Sequence, residues 1–409
     1  MDSSKQRWFW TAAVLGLTFQ PLARQPRKEE PPERNPPLGL RGQPSGGGAT
    51  SRPLAFAIAP PVRDRDTNAR PQFASCLIDA GFLTPSVHVA SLCEISGGRL
   101  LATWYGGTRE GARDVNIYMA TLGRGETNWS APRAVVTRDS AQRELGRYVK
   151  KVGNALLFSD GGERVSLLYV SIAFGGWSGS TLNLKTSADA GQTWRPSQRL
   201  HLSPFFNISE LVKNQPATLR DGGWAVPIYH ELAGKFSELL WLSAPAGSLS
   251  YHKTRVNGGT TGFQPALVPL SARRALLLAR DNSAAGQLWA SRSEDGGDSW
   301  SALASTGLPN PFSGLDAIRL RDGRVLLAFN DTRDNRENLR LAVSSDEGAS
   351  WQRAHLLLEE ERGQEFSYPF LLQSSNGLIH LVYTWKRKGI RHVTFNSAWL
   401  DTRIGGKAP

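Results

Sequence analysis

Three copies of one short motif constrain this chain more than any other feature of its sequence. The motif reads Ser-x-Asp-x-Gly-x-Ser/Thr-Trp and occurs as SADAGQTW at 187–194, SEDGGDSW at 293–300 and SSDEGASW at 344–351. An Asp two residues before a Gly is typical of a tight turn, because the carboxylate accepts backbone N–H groups and the Gly adopts positive φ. The Trp supplies a large apolar surface for packing. The motif therefore predicts a hairpin turn in a repeated unit.

The spacing of the motif predicts the size of that unit. Degenerate copies begin at Thr121 (TLGRGETNW) and Ser243 (SAPAGSLS), and the starts at 243, 293 and 344 lie about 50 residues apart. Between them are short apolar runs such as RVSLLYVSI, RALLLAR and LIHLVYTW, which are typical of strands. A period near this length matches one four-stranded blade. We therefore predict an all-β fold, a β-propeller of four-stranded antiparallel blades, with six blades and seven as the alternative.

Composition limits the classes of partner and cofactor. The chain is 40% hydrophobic and 21% charged, which is typical of a globular protein, and it carries a net charge of +12. A basic surface favours an acidic partner such as an anionic polysaccharide, although a solvated basic face gives the same count. We expect no nucleic acid, because no basic helix or basic-aromatic cluster is evident. We also expect no metal and no cofactor. Cys76 and Cys93 either pair or remain separate buried thiols.

The N-terminal segment differs in character from the rest. Lys5 and Arg7 precede an apolar run over 8–19, which predicts a signal peptide or membrane anchor over 1–23. Residues 24–70 are rich in Pro, Gly and charge, and predict a disordered linker. The propeller is then expected over 71–409. This organisation predicts an exported monomer, periplasmic or extracellular, that meets the membrane only through an N-terminal anchor.

The repeated Asp boxes resemble those of the sialidase (neuraminidase) superfamily. Stretches such as WYGGTREGARDVNIY, KNQPATLRDGGWAVPIY and FSYPFLLQSSNGLIHLVYTW are similar to those of bacterial predicted neuraminidases, and the likeness runs from about Phe82 to His392. The resemblance implies a glycosidase without a cofactor. It also implies arginines that bind the substrate carboxylate, an Asp acid, and a Tyr nucleophile activated by a Glu.

Three of the family's roles carry over to matching residues. The resemblance implies Asp114 as the general acid, although a turn or salt-bridge Asp has the same sequence setting. Arg280 matches the second arginine. Tyr368 matches the nucleophile, with Phe366 as the adjacent register choice, and a buried core Tyr is the structural alternative.

The third arginine and two departures complete the comparison. Arg336 matches the third arginine, with Arg333 competing for the role and a solvated surface Arg as the alternative. His88 stands where the first arginine is expected, so that arginine is absent; an imidazole there is a donor, a base or a structural group. Gln264, sixteen residues before Arg280, replaces the activating Glu, and an amide cannot accept the Tyr proton.

Other polar residues at strand starts are expected to meet a ligand near a propeller axis. These substrate-binding candidates are Lys213 and Gln215, beside Asn214, and Arg109 in the loop that holds Asp114. His230 and Glu231 after GGWAVPIY form a similar pair. Solvated loop positions explain the same residues equally well.

The sequence as a whole predicts an exported sialidase-like exo-glycosidase that hydrolyses a terminal acidic sugar from a glycan. One alternative is a lyase that acts by β-elimination on a uronic-acid polysaccharide, with His88 or Tyr368 as the base. Another is a glycan-binding propeller without catalysis.

Overall fold

The computed structural model describes residues 55–58, 70–203, 206–243, 249–256, 259–354 and 358–404. The predicted leader over 1–23 and most of the predicted linker over 24–70 lie outside these residues. Within the described ranges, no helix has both the length and the apolar character needed to cross a membrane.

In the described residues the strands form six antiparallel sheets. The first contains β2 (Ser86–Ile95), β3 (Arg99–Gly107), β4 (Asn116–Leu122) and β5 (Arg133–Val136). The second contains β6 (Lys151–Ser159), β7 (Val165–Ile172), β8 (Ser180–Ser187) and β9 (Gln198–Arg199). The third is β10 (Leu211–Val212), β11 (Ala217–Thr218), β12 (Trp224–His230), β13 (Phe236–Ser243) and β14 (Ser250–Arg255).

The remaining sheets continue in chain order. The fourth is β15 (Gly262–Pro269), β16 (Ala275–Asp281), β17 (Gln287–Ser293) and β18 (Ala304–Pro309), and the fifth is β19 (Asp316–Arg319), β20 (Val325–Phe329), β21 (Asn338–Ser344), β22 (Gln352–Arg353) and β23 (Glu359–Glu360). The sixth contains β24 (Phe366–Gln373), β25 (Ile379–Trp385), β26 (Gly389–Phe395) and, as its outer strand, β1 (Phe73–Leu77). The six-bladed propeller is confirmed, and the seven-bladed alternative is wrong.

The first strand closes the ring. β1 pairs antiparallel with β26, from Phe73 opposite Phe395 to Leu77 opposite Arg391. A strand from the N-terminal part of the chain therefore completes the last blade, and this pairing closes the ring of blades. Among the described residues, the sheets are accompanied by two short α-helices, α1 (Arg138–Leu145), which begins with a capping box at Thr137, and α2 (Ser397–Ile404).

The core lies between the blades. Inner and second strands are buried on both faces, as in β20, where all five residues are buried. One cluster joins apolar residues of neighbouring blades, among them Leu168, Leu184 and Val226. Burial on both faces explains why these strands read as continuous apolar runs in the sequence.

The Asp boxes form the turns that the sequence predicts. In the box at 293–300, the Asp295 carboxylate accepts the Ser299 N–H at 2.9 Å, and the Ser293 hydroxyl accepts the Gly297 N–H at 2.9 Å. The equivalent contacts recur in the other two full boxes. Gly297 has φ +96°, which an L side chain rarely adopts.

Each box glycine also packs against the preceding blade. A Cβ on Gly297 would lie 2.8 Å from Trp241 of the third blade, and one on Gly348 would lie 2.5 Å from Leu276 of the fourth. In the first box, Gly191 approaches Met119 of the first blade in the same way. The glycine is therefore needed twice, for its backbone angle and for the closeness of neighbouring blades.

A short N-terminal segment interrupts the predicted linker. Phe56 is fully buried against the third and fourth blades, where it forms a bridge with Leu219 and donates its N–H to Ala272 O at 2.9 Å. An apolar ring gains free energy by leaving water, so residues 55–58 pack on the propeller despite the polar composition around them.

The two cysteines remain separate thiols. Cys93 is buried in β2, and Cys76 is half-buried in β1 with its Sγ 4.0 Å from His392 Nδ1. Burial raises the pKa of the Cys93 thiol, so it behaves as a small apolar core residue.

A buried lysine forms hydrogen bonds with the inner strands of several blades near the propeller axis. The Lys213 ammonium donates to Asn214 Oδ1 at 2.5 Å, to Leu315 O of the fifth blade at 2.7 Å, and to Pro369 O of the sixth at 2.6 Å. Asp316 also lies in its field and accepts the Leu371 N–H at 2.7 Å. All three ammonium donors are occupied by the protein. These contacts give Lys213 a structural role, and substrate binding by this residue stays a prediction.

The box carboxylates predict acid sensitivity. Hydrogen bonds from the box serine or threonine side chains and backbone hold the pKa of Asp189, Asp295 and Asp346 at about 2, below the ordinary 3.8. A lowered folded-state pKa contributes stability above the ordinary value and loses it as pH falls toward the folded value. We expect Asp295→Asn to lower the melting temperature at pH 7 and to flatten its decline between pH 4 and pH 2. Asp298→Asn, an exposed carboxylate in the same box, is the control, and equal melting curves for the two variants would contradict the prediction.

The axial lysine gives a stability prediction. Lys213→Met removes the donor to carbonyls of two blades and leaves Asp316 without its neighbouring charge, so we expect a loss of about 3–5 kcal/mol in the free energy of unfolding. Denaturant unfolding measures this value. Lys388→Met, on the exposed hairpin after β25, is the matched control, and a similar small effect in both variants would disprove the axial role.

Candidate active site

The candidate site lies at the edge of the propeller where the inner strands begin. In the first blade, Ser86 at the start of β2 pairs with Gly107 at the end of β3, so the loop after β3 lies at this edge. The Asp boxes follow the third strands, such as β8 ending at Ser187, and lie at the opposite edge. We call the first the site edge.

Four inner strands bulge at equivalent points below this edge. Val89, Asn154, Gln264 and Tyr368 have φ of +49°, +34°, +54° and +53°, and the strand register shifts at each of them. Non-glycine residues rarely adopt positive φ, and bulges redirect side chains from the alternating pattern of a strand. Such strain clusters at functional sites.

Tyr368 and His88 lie at the centre of the arrangement. Their rings meet edge to face with centroids 4.5 Å apart, and the Tyr368 hydroxyl accepts a hydrogen bond from Arg280 Nη1 at 3.3 Å. Phe366 is fully buried in the core between the last two blades. The structure therefore selects Tyr368 over Phe366 as the residue at the site.

His88 is a neutral, buried imidazole. Burial, followed by the charges of Arg387, Arg336 and Arg280, lowers its pKa well below 6.5. Its Nδ1 lies 3.0 Å from Thr384 Oγ1, which also accepts the Val89 N–H at 3.2 Å. In the described residues, its Nε2 is buried without a hydrogen-bond partner. His88 thus occupies the predicted position and carries no charge at neutral pH.

Arg280 is held rigidly by its neighbours. It donates to Gln264 Oε1 at 2.9 Å and to Phe312 O at 2.6 Å, and its guanidinium lies over the rings of Phe263 and Phe312 at 4.6 and 4.2 Å. Planar guanidinium groups suit carboxylates because two donors point the same way.

Gln264 positions this arginine rather than the tyrosine. Its Nε2 donates to the Tyr229 hydroxyl at 3.1 Å while its Oε1 accepts from Arg280. The neutral amide therefore fixes Arg280 without cancelling its charge. The Tyr229 hydroxyl also accepts from Asn154 Nδ2 at 3.0 Å, so Tyr229 of β12 links two of the bulged strands, β6 and β15.

Arg336 joins the same group and Arg333 does not. Arg336 donates to Phe312 O at 2.8 Å, forms an ion pair with Glu365 at 3.3 Å, and lies 5.5 Å from the Tyr368 ring. Arg333 instead donates to Ala285 O at the rim. The fold thus brings Arg336 to Arg280, as the resemblance implies.

A third guanidinium, that of Arg387, was not identified from the sequence. It forms ion pairs with Glu365 at 2.8 Å and Glu110 at 2.6 Å, and its charge acts on His88. Burial opposes ionisation of Glu365, but hydrogen bonds from Arg387 and Ser367 outweigh it and lower the pKa of this carboxyl. Arg387 lies in the hairpin KRKG after β25, where a run of basic residues gives no signal of position. Its closeness supplies a cation near His88, where the first arginine was missing.

The loop of Asp114 borders this cluster. Asp114 is exposed and accepts hydrogen bonds from the Thr108 hydroxyl and, at 2.9 Å, from the Thr108 N–H, which together lower its pKa. Arg109, also exposed, lies close enough to contribute its charge to Asp114. Glu110 fastens the loop to Arg387. In this state Asp114 is ionised at neutral pH.

The remaining candidates from the third blade differ in their burial and in the charges around them. Gln215 is half-buried, and its Oε1 has no hydrogen-bond partner in the described residues. Glu231 is half-buried, and burial raises its pKa against the opposing charges of Lys235 and Arg280. His230 stacks on Phe236 at 4.8 Å, and burial lowers its pKa to about 4. Glu231 is therefore the member of this pair that lies in the field of Arg280.

One group in the described residues has the geometry of a metal site. Glu210, His230 and Glu238 each place a ligand atom within 4.8 Å of the others. The Lys253 ammonium contacts Glu210 at 2.5 Å and Glu238 at 3.1 Å. The half-buried Lys253 ammonium between two carboxylates already supplies the charge that they require, so we assign no metal to this group.

Comparison with known proteins places the chain in a family. The profile of the BNR repeat-like domain matches residues 98–381, more than half of the chain. No curated protein sequence matches the chain.

Similar solved structures include named sialidases. The Hadza microbial sialidase Hz136 is 18% identical with a TM-score of 0.64 over 76% of this chain, which spans 66% of that protein's length. The intramolecular trans-sialidase from Ruminococcus gnavus, solved with oseltamivir carboxylate, is 14% identical with a TM-score of 0.63 over 81% of this chain and 98% of the other. A Dyadobacter fermentans protein of unknown function is 15% identical with a TM-score of 0.63, over 80% and 100% of the two chains. At these identities the likeness concerns the fold.

The matched profile, the Asp boxes and the six blades agree with one another. This chain belongs to the BNR repeat-like domain family, and its fold is the β-propeller of the sialidase superfamily.

Proposed function

We infer that this protein is a glycosidase that hydrolyses a terminal acidic sugar from a glycan at the site edge, and that the leader over 1–23 exports it as a monomer. The observation that carries the inference is the convergence of Arg280, Arg336 and Arg387 around Tyr368 and His88. Arg336 and Arg387 form ion pairs with Glu365 and Glu110, whereas Arg280 has no ion pair with a carboxylate among the described residues. A substrate carboxylate would satisfy the charge of Arg280. The sialidases among the similar structures support the same substrate class.

The tyrosine is the proposed nucleophile. Its hydroxyl accepts from Arg280, and a cationic donor stabilises negative charge that develops on the attacking oxygen. No carboxylate among the described residues contacts this hydroxyl in place of the Glu that Gln264 replaces. Arg280 therefore takes over part of the activation, through charge stabilisation instead of proton removal.

Two carboxyl groups compete for the role of general acid. The resemblance implies Asp114, whose pKa is lowered in the free protein and must rise when substrate displaces Thr108. Glu231 already has a raised pKa, because burial outweighs the charges of Lys235 and Arg280. A general acid must hold its proton near the working pH. Glu231 meets this condition in the free protein and Asp114 would meet it only with substrate bound, so both residues are tested.

β-Elimination on a uronic acid is the second candidate function. It is favoured by the neutral His88, whose Nε2 has no partner in the described part of the chain and whose ring touches Tyr368. The arginines would then neutralise the substrate carboxylate while His88 or Tyr368 removes the adjacent proton.

The reaction is tested by product analysis on sialosides, uronic-acid glycosides and anionic polysaccharides. We expect hydrolysis, seen as a released reducing sugar, and a loss of at least about 10³-fold in kcat for Tyr368→Phe because the nucleophile is absent. The acid is identified by Asp114→Asn and Glu231→Gln, since its loss slows substrates with poor leaving groups more than activated aryl glycosides.

Asp298→Asn, an exposed carboxylate in an Asp box at the opposite edge, is the control for the acid variants. An unsaturated, ultraviolet-absorbing product would show that the reaction is elimination and would contradict hydrolysis. Binding without turnover on the whole panel, unchanged in Tyr368→Phe, would show a glycan-binding propeller and contradict catalysis.

The arginine assignment is tested by a matched pair. Arg336→Met is expected to raise KM for an acidic glycoside by about 10–100-fold, because a charge-assisted contact of about 1.5–3 kcal/mol is lost. Arg333→Met, on the same loop but directed to Ala285, is expected to leave KM within about twofold. Steady-state kinetics measure both, and equal effects would remove Arg336 from the carboxylate site.

A further inference from the structure

Large exposed apolar side chains are concentrated at the site edge. Among the described residues, Phe73 on β1 is the exception, and the others lie in connections that reach this edge: Phe82, Leu83, Tyr148, Phe174, Phe206, Leu232 and Phe312. The outer walls and the Asp-box edge have no comparable group among those residues. Exposed aromatic rings beside a pocket are typical of a surface that binds a ligand.

Two of these rings stand among cations of the first two blades. Tyr148 is 52% exposed, and its hydroxyl accepts a hydrogen bond from Arg113 Nη2 at 2.9 Å. Phe174 is 57% exposed, and the Lys150 ammonium reaches the carbonyl of the next residue, Gly175, at 3.4 Å. Tyr148 therefore contacts a cation directly, and a second cation contacts the residue that follows Phe174.

A path of packed side chains connects this surface to the cluster around Tyr368. Lys151 lies with its ammonium 5.0 Å above the Trp177 ring, and that ring lies 6.2 Å from Tyr105, which in turn lies 5.9 Å from His88. Burial, followed by the charge of Lys150, lowers the pKa of Lys151. Lys150 and Lys151 are therefore close enough to act as one cationic group.

The charge of this surface is strongly one-sided. We call it the basic-aromatic surface and define it by Arg109, Arg113, Tyr148, Lys150, Lys151 and Phe174. It holds three accessible cations, Arg109, Arg113 and Lys150, with the buried Lys151 beneath them. Of the carboxylates beside it, Glu110 is paired with Arg387 and Asp139 with Arg138, and Asp114 is the remaining opposing charge. Such a surface attracts a ligand with several negative charges rather than one.

We propose that the basic-aromatic surface binds the continuation of a linear polysaccharide that carries carboxylates on successive sugars, whose terminal sugar enters the site at Tyr368. This inference rests on the proposed function and deepens it from a terminal acidic sugar to a polyanionic chain. The cations pair with successive carboxylates, and Tyr148 and Phe174 pack on the apolar faces of sugar rings. Each added sugar gains a contact at high local concentration, so affinity rises with chain length.

The test is a length series of galacturonate oligomers of one, three and six sugars, with binding measured by calorimetry in the Tyr368→Phe background. We expect the hexamer to bind at least about tenfold tighter than the monomer at low salt, with the advantage falling as salt rises. The double variant Arg113→Gln with Lys150→Gln, and separately Tyr148→Ala with Phe174→Ala, are expected to remove this advantage and to leave the monomer unaffected. Arg124→Gln, an exposed arginine in the loop after β4 at the opposite edge, is the control.

The outcomes separate the two proposals. Equal affinity for monomer and hexamer, or an equal loss of the hexamer's advantage in Arg124→Gln, would overturn the proposal that this surface binds the polysaccharide. Tighter binding of a six-nucleotide single-stranded DNA than of the hexamer would overturn it in favour of a nucleic-acid ligand. If the monomer does not bind while the hexamer depends on Arg113 and Lys150, the surface stands and the proposed function fails.

Discussion

The stacking of small sheets is the constraint on which this structure depends. A four-stranded blade has two apolar faces, and only neighbouring blades can cover both, so the core lies between blades and the ring must close through β1. The box glycines make this stacking close, because Gly297 and Gly348 allow a turn to approach the preceding blade where a Cβ would collide. The motif thus serves the contact between blades as much as the turn within one.

Close packing around an axis creates the site. Lys213 satisfies carbonyls from the fifth and sixth blades beneath the cluster, and bulges at Gln264 and Tyr368 turn their side chains away from the ordinary strand pattern. Arg280 is consequently locked by an amide, a carbonyl and two rings before any ligand arrives. Preorganised charge of this kind costs little reorganisation during a reaction.

The resemblance located much of the site by position along the chain. Arg280, Arg336, Tyr368 and His88 meet at one edge, because equivalent points of repeated blades face the same axis. The structural role of Lys213 was not predicted, because its donors reach backbone carbonyls of two distant blades. Arg387 was missed because its partners, Glu365 and Glu110, are distant in sequence and adjacent only across the junction of the last and first blades.

The sequence by itself determined the all-β class, the blade period, the turn chemistry of the boxes and the family, because these follow from local patterns that repeat at a fixed spacing. The tertiary structure decided which charged residues share one site, which lysine is structural, and that Gln264 holds an arginine instead of activating a tyrosine. It also placed Tyr148 and Phe174 beside cations at the site edge. These outcomes depend on contacts between blades. Each such contact joins single residues from different repeats, so it produces no repeating pattern in the sequence.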